Sequence, residues 1–326
     1  MAAAQSPNAD VVRLDDYGSG PDPAWLDVDW SQYLRWHRLQ GSDVNVLDTG
    51  EVGDKTPLVF IHGHSGCWQN WLEQLPHCMK THRCIALDLP GFGESPMPTD
   101  ELSMCGYARL VDELLGQLDV DAACVVGSSM GGFVAAELAI QFPQRVERLV
   151  LVAAAGLSGK YIGLPTEIIA HPSGAAVARL LFGLGGVPDG LTRALARRRN
   201  GRRLALGFLT THPRRLHSAL AFELVNGAGG LGAAAAAVEL ATYDFKDRVP
   251  EIACPTLIVW GDTDHLVPVA CAAAYEDAIP DASKVIYADT GHLPMLERPA
   301  RFNDDLQNFL TDEPSIPDEA SLAQRG

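Results

Sequence analysis

The chain has 326 residues, 47% of them hydrophobic and 20% charged, proportions that exclude a wholly disordered chain, a fibrous repeat and a coiled coil. With 25 Lys and Arg against 41 Asp and Glu, the formal net charge is −16. Such a surface repels phosphate backbones, so no nucleic-acid partner is expected.

At the N-terminus, MAAAQSPNADVVRLDD lacks the basic start and long apolar stretch of a signal peptide. Residues 1–30 are polar with scattered Pro and Gly, and read as a flexible extension with Trp25 or Trp30 as pinning points. A strand pair follows, Leu34–Leu39 and Val44–Asp48, turning at Gly41-Ser42. LVFI at 58–61 reads as a buried strand ending at His62-Gly63, and Trp68–Met79 has helical spacing. Arg83–Leu87 is a strand closed by the turn Pro90-Gly91-Phe92-Gly93. Leu102–Leu118 is an amphipathic helix, Ala122–Val126 a strand, Met130–Gln141 a helix and Leu149–Ala153 a strand.

Residues 156–243 break this rhythm. They are rich in Gly, Ala and Arg, contain no strand-like run, and are too many for a loop. The rhythm resumes with strand Thr256–Trp260, helix Val269–Ala278, strand Lys284–Tyr287 and helix Pro299–Leu310. The expected fold is therefore α/β, a mostly parallel central sheet with helices on both faces. Residues 31–155 and 244–312 would form the core, 156–243 an inserted helical cap, and 313–326 a loose tail. No apolar run is long enough to span a membrane. Seven cysteines without a CxxC pair, several inside apolar runs, suit reduced core residues of a cytoplasmic protein.

The sharpest chemical signal is Gly127-Ser128-Ser129-Met130-Gly131, a G-x-S-x-G between an expected strand and an expected helix. A side chain is presented at so sharp a turn only on a strained backbone, and glycines on either side keep neighbouring atoms clear. Ser129 would then sit at a helix N-terminus, where the dipole favours developing negative charge. A serine hydroxyl is a weak nucleophile and needs a base, and that base needs an orienting acid. Both are present downstream in the order Ser, Asp, His. Asp262 and Asp264 follow the strand TLIVW, and His292 follows KVIY. The third requirement is a pair of N–H donors for a tetrahedral oxyanion. The candidates are the N–H groups of Met130 and of His64, in the loop after LVFI. The pair His62-x-His64 lacks the Cys, Asp or Glu cluster of a metal site, so no metal is expected.

Five segments together resemble the α/β-hydrolase superfamily of the cap-bearing type: HG at 62–63, DLPGFGES at 88–95, GSSMGG at 127–132, WGDTDHLVP at 260–268 and GHLPMLERP at 291–299. The resemblance spans residues 58–310. It implies Ser129 as nucleophile, Asp264 as the acid of G-x-x-D-x-x-x-P, and His292 as the base. Strand 149–153 leads into Ala153-Ala154-Ala155-Gly156, so the acid position that some relatives use after that strand is empty here. Relatives with an Asp nucleophile, haloalkane dehalogenases and epoxide hydrolases, differ from this chain at Ser129. No cofactor is expected: G-x-x-x-x-G-K-[ST] does not occur, and the glycines of 127–132 do not form GxGxxG, because position 129 is Ser.

The expected activity is hydrolysis of a small apolar ester or lactone. Cleavage of a carbon–carbon bond in a ring-cleavage diketone is the alternative, followed by perhydrolysis and acyl transfer. A ligand receptor on the same fold and an interaction scaffold are the non-catalytic classes, and a homo-oligomer is left open. The cap carries ten basic residues against four acidic ones. These read as a solvated face or as salt bridges to the core, with steering of an anionic substrate as the rival reading. Phe182, Leu184, Phe208, Leu209, Phe222 and Leu224 are candidates for a pocket lining or for the core of the cap.

Overall fold

The computed structural model describes residues 16–98, 101–157 and 189–311. Residues 1–15 of the extension, the tail 313–326, and Lys160, Arg179, Phe182 and Leu184 of the cap lie outside the described residues.

Eight strands form one sheet: β1 (Leu34–Leu39), β2 (Ser42–Asp48), β3 (Leu58–Ile61), β4 (Cys84–Leu87), β5 (Ala123–Ser128), β6 (Val146–Val152), β7 (Thr256–Gly261) and β8 (Ala282–Tyr287). Their order is β1-β2-β4-β3-β5-β6-β7-β8. The β1/β2 and β2/β4 pairs are antiparallel, and every other pair is parallel. Strands β3, β4 and β5 are buried at every residue. This is why LVFI, CIAL and ACVV are unbroken apolar runs: a parallel strand covered on both faces has no polar side.

Ten helices accompany the sheet among the described residues. Before Ser129 come α1 (Leu75–Cys78) and α2 (Met104–Gln117), and after it α3 (Met130–Gln141). Four more, α4 (Asp189–Arg197), α5 (Arg199–Leu206), α6 (Ser218–Asn226) and α7 (Ala233–Thr242), lie between β6 and β7. The chain closes with α8 (Ala270–Ala278), α9 (Pro294–Glu297) and α10 (Pro299–Thr311). Ser103 caps α2 by accepting the Gly106 N–H at 3.0 Å, and the helix buries Leu110, Val111, Leu114 and Leu115. Helix α3 is buried from Met130 to Ile140, so it shows no amphipathic stripe.

One expectation is corrected. Trp68–Met79 is not one helix but a 3-10 turn, Trp68–Trp71, followed by α1. Pro76 lacks the N–H that a continuous helix would need there, and it sits in the first turn of α1, where that loss is harmless. Among its described residues the extension is pinned at a few large side chains, the two expected tryptophans among them. Tyr17 and Trp25 are buried, and the Trp25 indole N–H donates to Glu73 Oε1 at 2.9 Å. Trp30 is tied in as well, donating to the Trp25 carbonyl at 3.0 Å.

β6 and β7 are direct neighbours, with Leu149 opposite Thr256. The chain therefore leaves the sheet after β6, builds α4–α7, and returns to the next position. The arginines of this segment bind carbonyls and rings. Arg202 is buried and donates to the carbonyls of Ala196, Pro213 and Arg214. Arg193 lies over the Phe222 ring at 4.6 Å, and Arg214 donates to the Asn200 side chain.

Candidate active site

β5 ends at Ser128 and α3 begins at Met130, so Ser129 alone makes the turn. Its φ of 54° and ψ of −115° lie where a residue with a side chain is strained. Neighbouring backbone holds it there. The Ser129 N–H donates to Val152 O at 2.9 Å, and Ser129 O accepts the Ala155 N–H at 3.0 Å and the Phe133 N–H at 3.2 Å. The flanking glycines are a steric necessity. A Cβ at Gly127 would fall 2.2 Å from Gly131 O, and one at Gly131 would fall 2.2 Å from Ile61 O. Ser129 is thus the N-terminal cap of α3, facing its first free N–H groups.

The loop after β3 lies directly against this turn, since a Cβ on Gly63 would sit 3.2 Å from Ser129 Cβ. Two histidines and an aspartate shape that loop. His62 Nε2 accepts the Leu89 N–H at 3.0 Å, which leaves Nδ1 as the donor to Gly63 O at 2.7 Å. His64 Nε2 donates to Ala233 O of α7 at 2.7 Å, and its Nδ1 accepts from the Ser65 hydroxyl at 3.0 Å. Burial holds both imidazoles below the usual histidine range, His64 at about 4. Neutral rings with both nitrogens engaged are loop supports, with no lone pair left for a metal. Buried Asp88 joins this loop to β2 and to the turn after β4. It accepts the Trp68 N–H, the Asn45 amide and the Glu94 N–H at 2.8, 3.0 and 3.0 Å. The His64 and Met130 main-chain N–H groups have no acceptor among the described residues, as an oxyanion hole requires.

In the loops after β7 and β8, His292 Nδ1 donates to Asp264 Oδ2 at 2.8 Å, with side chains 3% and 0% exposed. Asp264 Oδ1 accepts the Leu266 and Val267 N–H groups at 2.8 and 3.0 Å, which fixes the carboxylate. Asp262 instead is exposed and accepts the Thr290 N–H at 3.2 Å. Ser129, Asp264 and His292 follow β5, β7 and β8 at the same carboxyl edge of the parallel sheet. Ser129 Oγ makes no hydrogen bond among the described residues, so the serine–imidazole link is open here. Such links often close only when substrate is bound.

The segment between α5 and α6 covers this edge. Leu209 O accepts the His292 main-chain N–H at 2.8 Å, and the Thr211 and Thr263 hydroxyls meet at 2.7 Å. Of the candidate lining residues, Phe208 and Leu224 are buried, while Leu209 and Phe222 are half-buried. Sequence reasoning missed the parts played by Asp88 and Glu297. Both stood in quoted motifs, DLPGFGES and GHLPMLERP, but their partners are distant in sequence.

Comparison with known proteins agrees with this architecture. A family model described as alpha/beta hydrolase fold matches residues 56–299. An uncharacterized protein of Mycobacterium tuberculosis is 31% identical over 83% of this chain and 80% of its own length. A 2-hydroxymuconate semialdehyde hydrolase of Pseudomonas sp. (strain CF600) is 32% identical over 83% of this chain and 92% of its own. The enol-lactonase from Burkholderia xenovorans LB400 superposes with a TM-score of 0.66 at 21% identity, covering 85% of this chain and 100% of that one. On the family match over most of its length, and on the sheet order that carries it, the chain belongs to the alpha/beta hydrolase fold family.

Proposed function

We propose that the chain is a serine hydrolase that cleaves a small apolar carboxylic ester or lactone through an acyl-enzyme. The observation that carries this reading is the Asp264–His292 pair at 2.8 Å, standing at the same sheet edge as the strained Ser129 turn. His292 takes the Ser129 proton as Oγ attacks the carbonyl carbon. The oxyanion is held by the N–H groups of His64 and Met130. His292 then protonates the departing alkoxide, and the acyl-enzyme is hydrolysed by a water that His292 activates. Asp264 keeps the imidazole in the Nδ1–H tautomer and stabilises its positive charge.

A second reading is supported by the likeness to the 2-hydroxymuconate semialdehyde hydrolase. The same groups could hydrolyse a carbon–carbon bond beside a ketone. The assay is a p-nitrophenyl ester series of increasing acyl length, run beside a macrolactone and a ring-cleavage dienone. Ester or lactone turnover that falls roughly 10⁴–10⁶-fold in Ser129→Ala is the expected result. Turnover of the dienone alone would transfer the assignment to carbon–carbon hydrolysis. No turnover, and no labelling of folded protein by a fluorophosphonate, would remove the enzyme reading. We place the protein in the cytoplasm, because all seven cysteines are free and five are buried.

A further inference from the structure

Glu297 closes α9 with a fully buried side chain. Its two oxygens do different work. Oε1 accepts the N–H groups of Gly291 at 2.9 Å and Leu293 at 3.3 Å, the residues on either side of His292. Oε2 accepts the Tyr17 hydroxyl at 2.6 Å and the Thr211 N–H at 2.8 Å. Four donors fill the acceptor capacity of one carboxylate, and three of them are main-chain groups that no substitution of their own side chain removes. The grip is close. A Cβ on Gly291 would come within 3.0 Å of Glu297 Oε1 and 2.9 Å of Leu209 O.

We propose that Glu297 is a positioning residue for His292. By holding the backbone at both neighbours of the histidine it fixes the Cα from which the imidazole must reach Asp264 and Ser129. Through its second oxygen it ties that backbone to Tyr17 and to the segment between α5 and α6. The inference rests on His292 being the base proposed above. Displacement of a reacting group by about 1 Å is enough to cost on the order of 10²-fold in rate, so the grip acts on turnover more than on substrate binding.

The chemistry of glutamine separates this role from simple packing. In Glu297→Gln the amide oxygen can occupy the Oε1 position and keep both loop contacts. Its NH₂ then faces the Tyr17 hydroxyl, which already accepts the His212 N–H at 2.9 Å and must swing its own proton aside to take a second donor, and the Thr211 N–H, which cannot accept. In Glu297→Ala every contact is lost. Two readouts are needed. The first is kcat and KM on a p-nitrophenyl ester. The second, independent of turnover, is the downfield proton resonance of the His292 Nδ1–H bound to Asp264, assigned by its loss in His292→Gln.

For Glu297→Ala the expected result is a kcat about 10²-fold lower, KM within about two-fold, and the resonance broadened away. For Glu297→Gln, which loses the Thr211 contact, it is a kcat about three- to ten-fold lower and the resonance retained. If the alanine variant does not fold, the glutamine variant alone decides. A retained resonance with kcat reduced within that range supports the proposal. A kcat unchanged, or as low as that of Ser129→Ala, overturns it. A folded alanine variant with wild-type kcat and resonance also overturns it. If no ester is turned over yet the resonance follows this pattern, the ester reading fails while the positioning of His292 by Glu297 stands.

Discussion

Ser129 and Asp264 show how a residue's role depends on what its backbone is bonded to. Asp262 and Asp264 are two residues apart on one turn, yet only Asp264 meets the imidazole, because two N–H groups aim its carboxylate inward. Asp264→Asn should therefore lower kcat by about 10³–10⁴-fold by presenting the wrong tautomer partner. Asp262→Asn should change it by less than about five-fold, since an exposed group away from the chemistry contributes little. The reverse ranking in steady-state kinetics would exchange the two assignments.

His64 makes a pH prediction of a different kind. Burial holds it near 4, so between the ordinary histidine value of about 6.5 and pH 4 the unfolded chain binds a proton that the folded chain refuses. Its contribution to stability is complete above that window and is lost as pH falls through it. Glu297 runs the other way. Burial raises its carboxyl to about 7, so its contribution weakens as pH rises from the ordinary glutamate range towards 7. The urea midpoint should drop between pH 7 and pH 5 by less in His64→Gln than in the wild type. Equal drops would show that other groups carry the acid limb.

At the scale of elements, the β5–turn–α3 unit is the most constrained part of the chain. Gly131→Ala would drive a Cβ into the Ile61 carbonyl, which is backbone and cannot step aside. A loss of several kcal/mol, or failure to fold, is expected in chemical denaturation. Gly190 is the contrast. It lies exposed in α4 with nothing within 4 Å of its would-be Cβ. Gly190→Ala should stabilise the protein by about 0.5–1 kcal/mol through helix propensity.

These elements were legible to different degrees. Strands β3, β5 and β7 could be placed by their continuous apolar runs, and the turn at 127–131 by its glycine spacing. The break between the Trp68–Trp71 turn and α1 is also written in the chain, at Pro76, but apolar spacing alone concealed it. Trp25 could be named as a pinning point, but the burial of Tyr17 and the partners of both side chains, Glu297 and Glu73, could not be seen, because they are far along the chain.

For the whole molecule, the basic residues of the segment between β6 and β7 divide between backbone carbonyls and solvent. Its buried arginine is spent on carbonyls, and Arg197, Arg198, Arg199 and Arg203 stand in solvent. Reversing the charge of Arg198 and Arg199 together should leave kcat/KM for neutral and anionic esters within about three-fold of the wild type, as for charges screened by water and salt. A selective loss with anionic substrates would revive steering.

By itself the sequence determined the fold class, the glycine-flanked turn at Ser129, and the order in which the proposed nucleophile, acid and base follow their strands. All three are local patterns: apolar runs set by two-sided burial, glycines set by steric contact, and loops set by the ends of strands. Only the tertiary structure decided which aspartate reaches His292, that His62 and His64 are neutral supports of their loop, and that Glu297 holds the histidine from both sides. Those outcomes depend on where hydrogen-bond donors from distant segments converge, and a chain of letters carries no record of that direction.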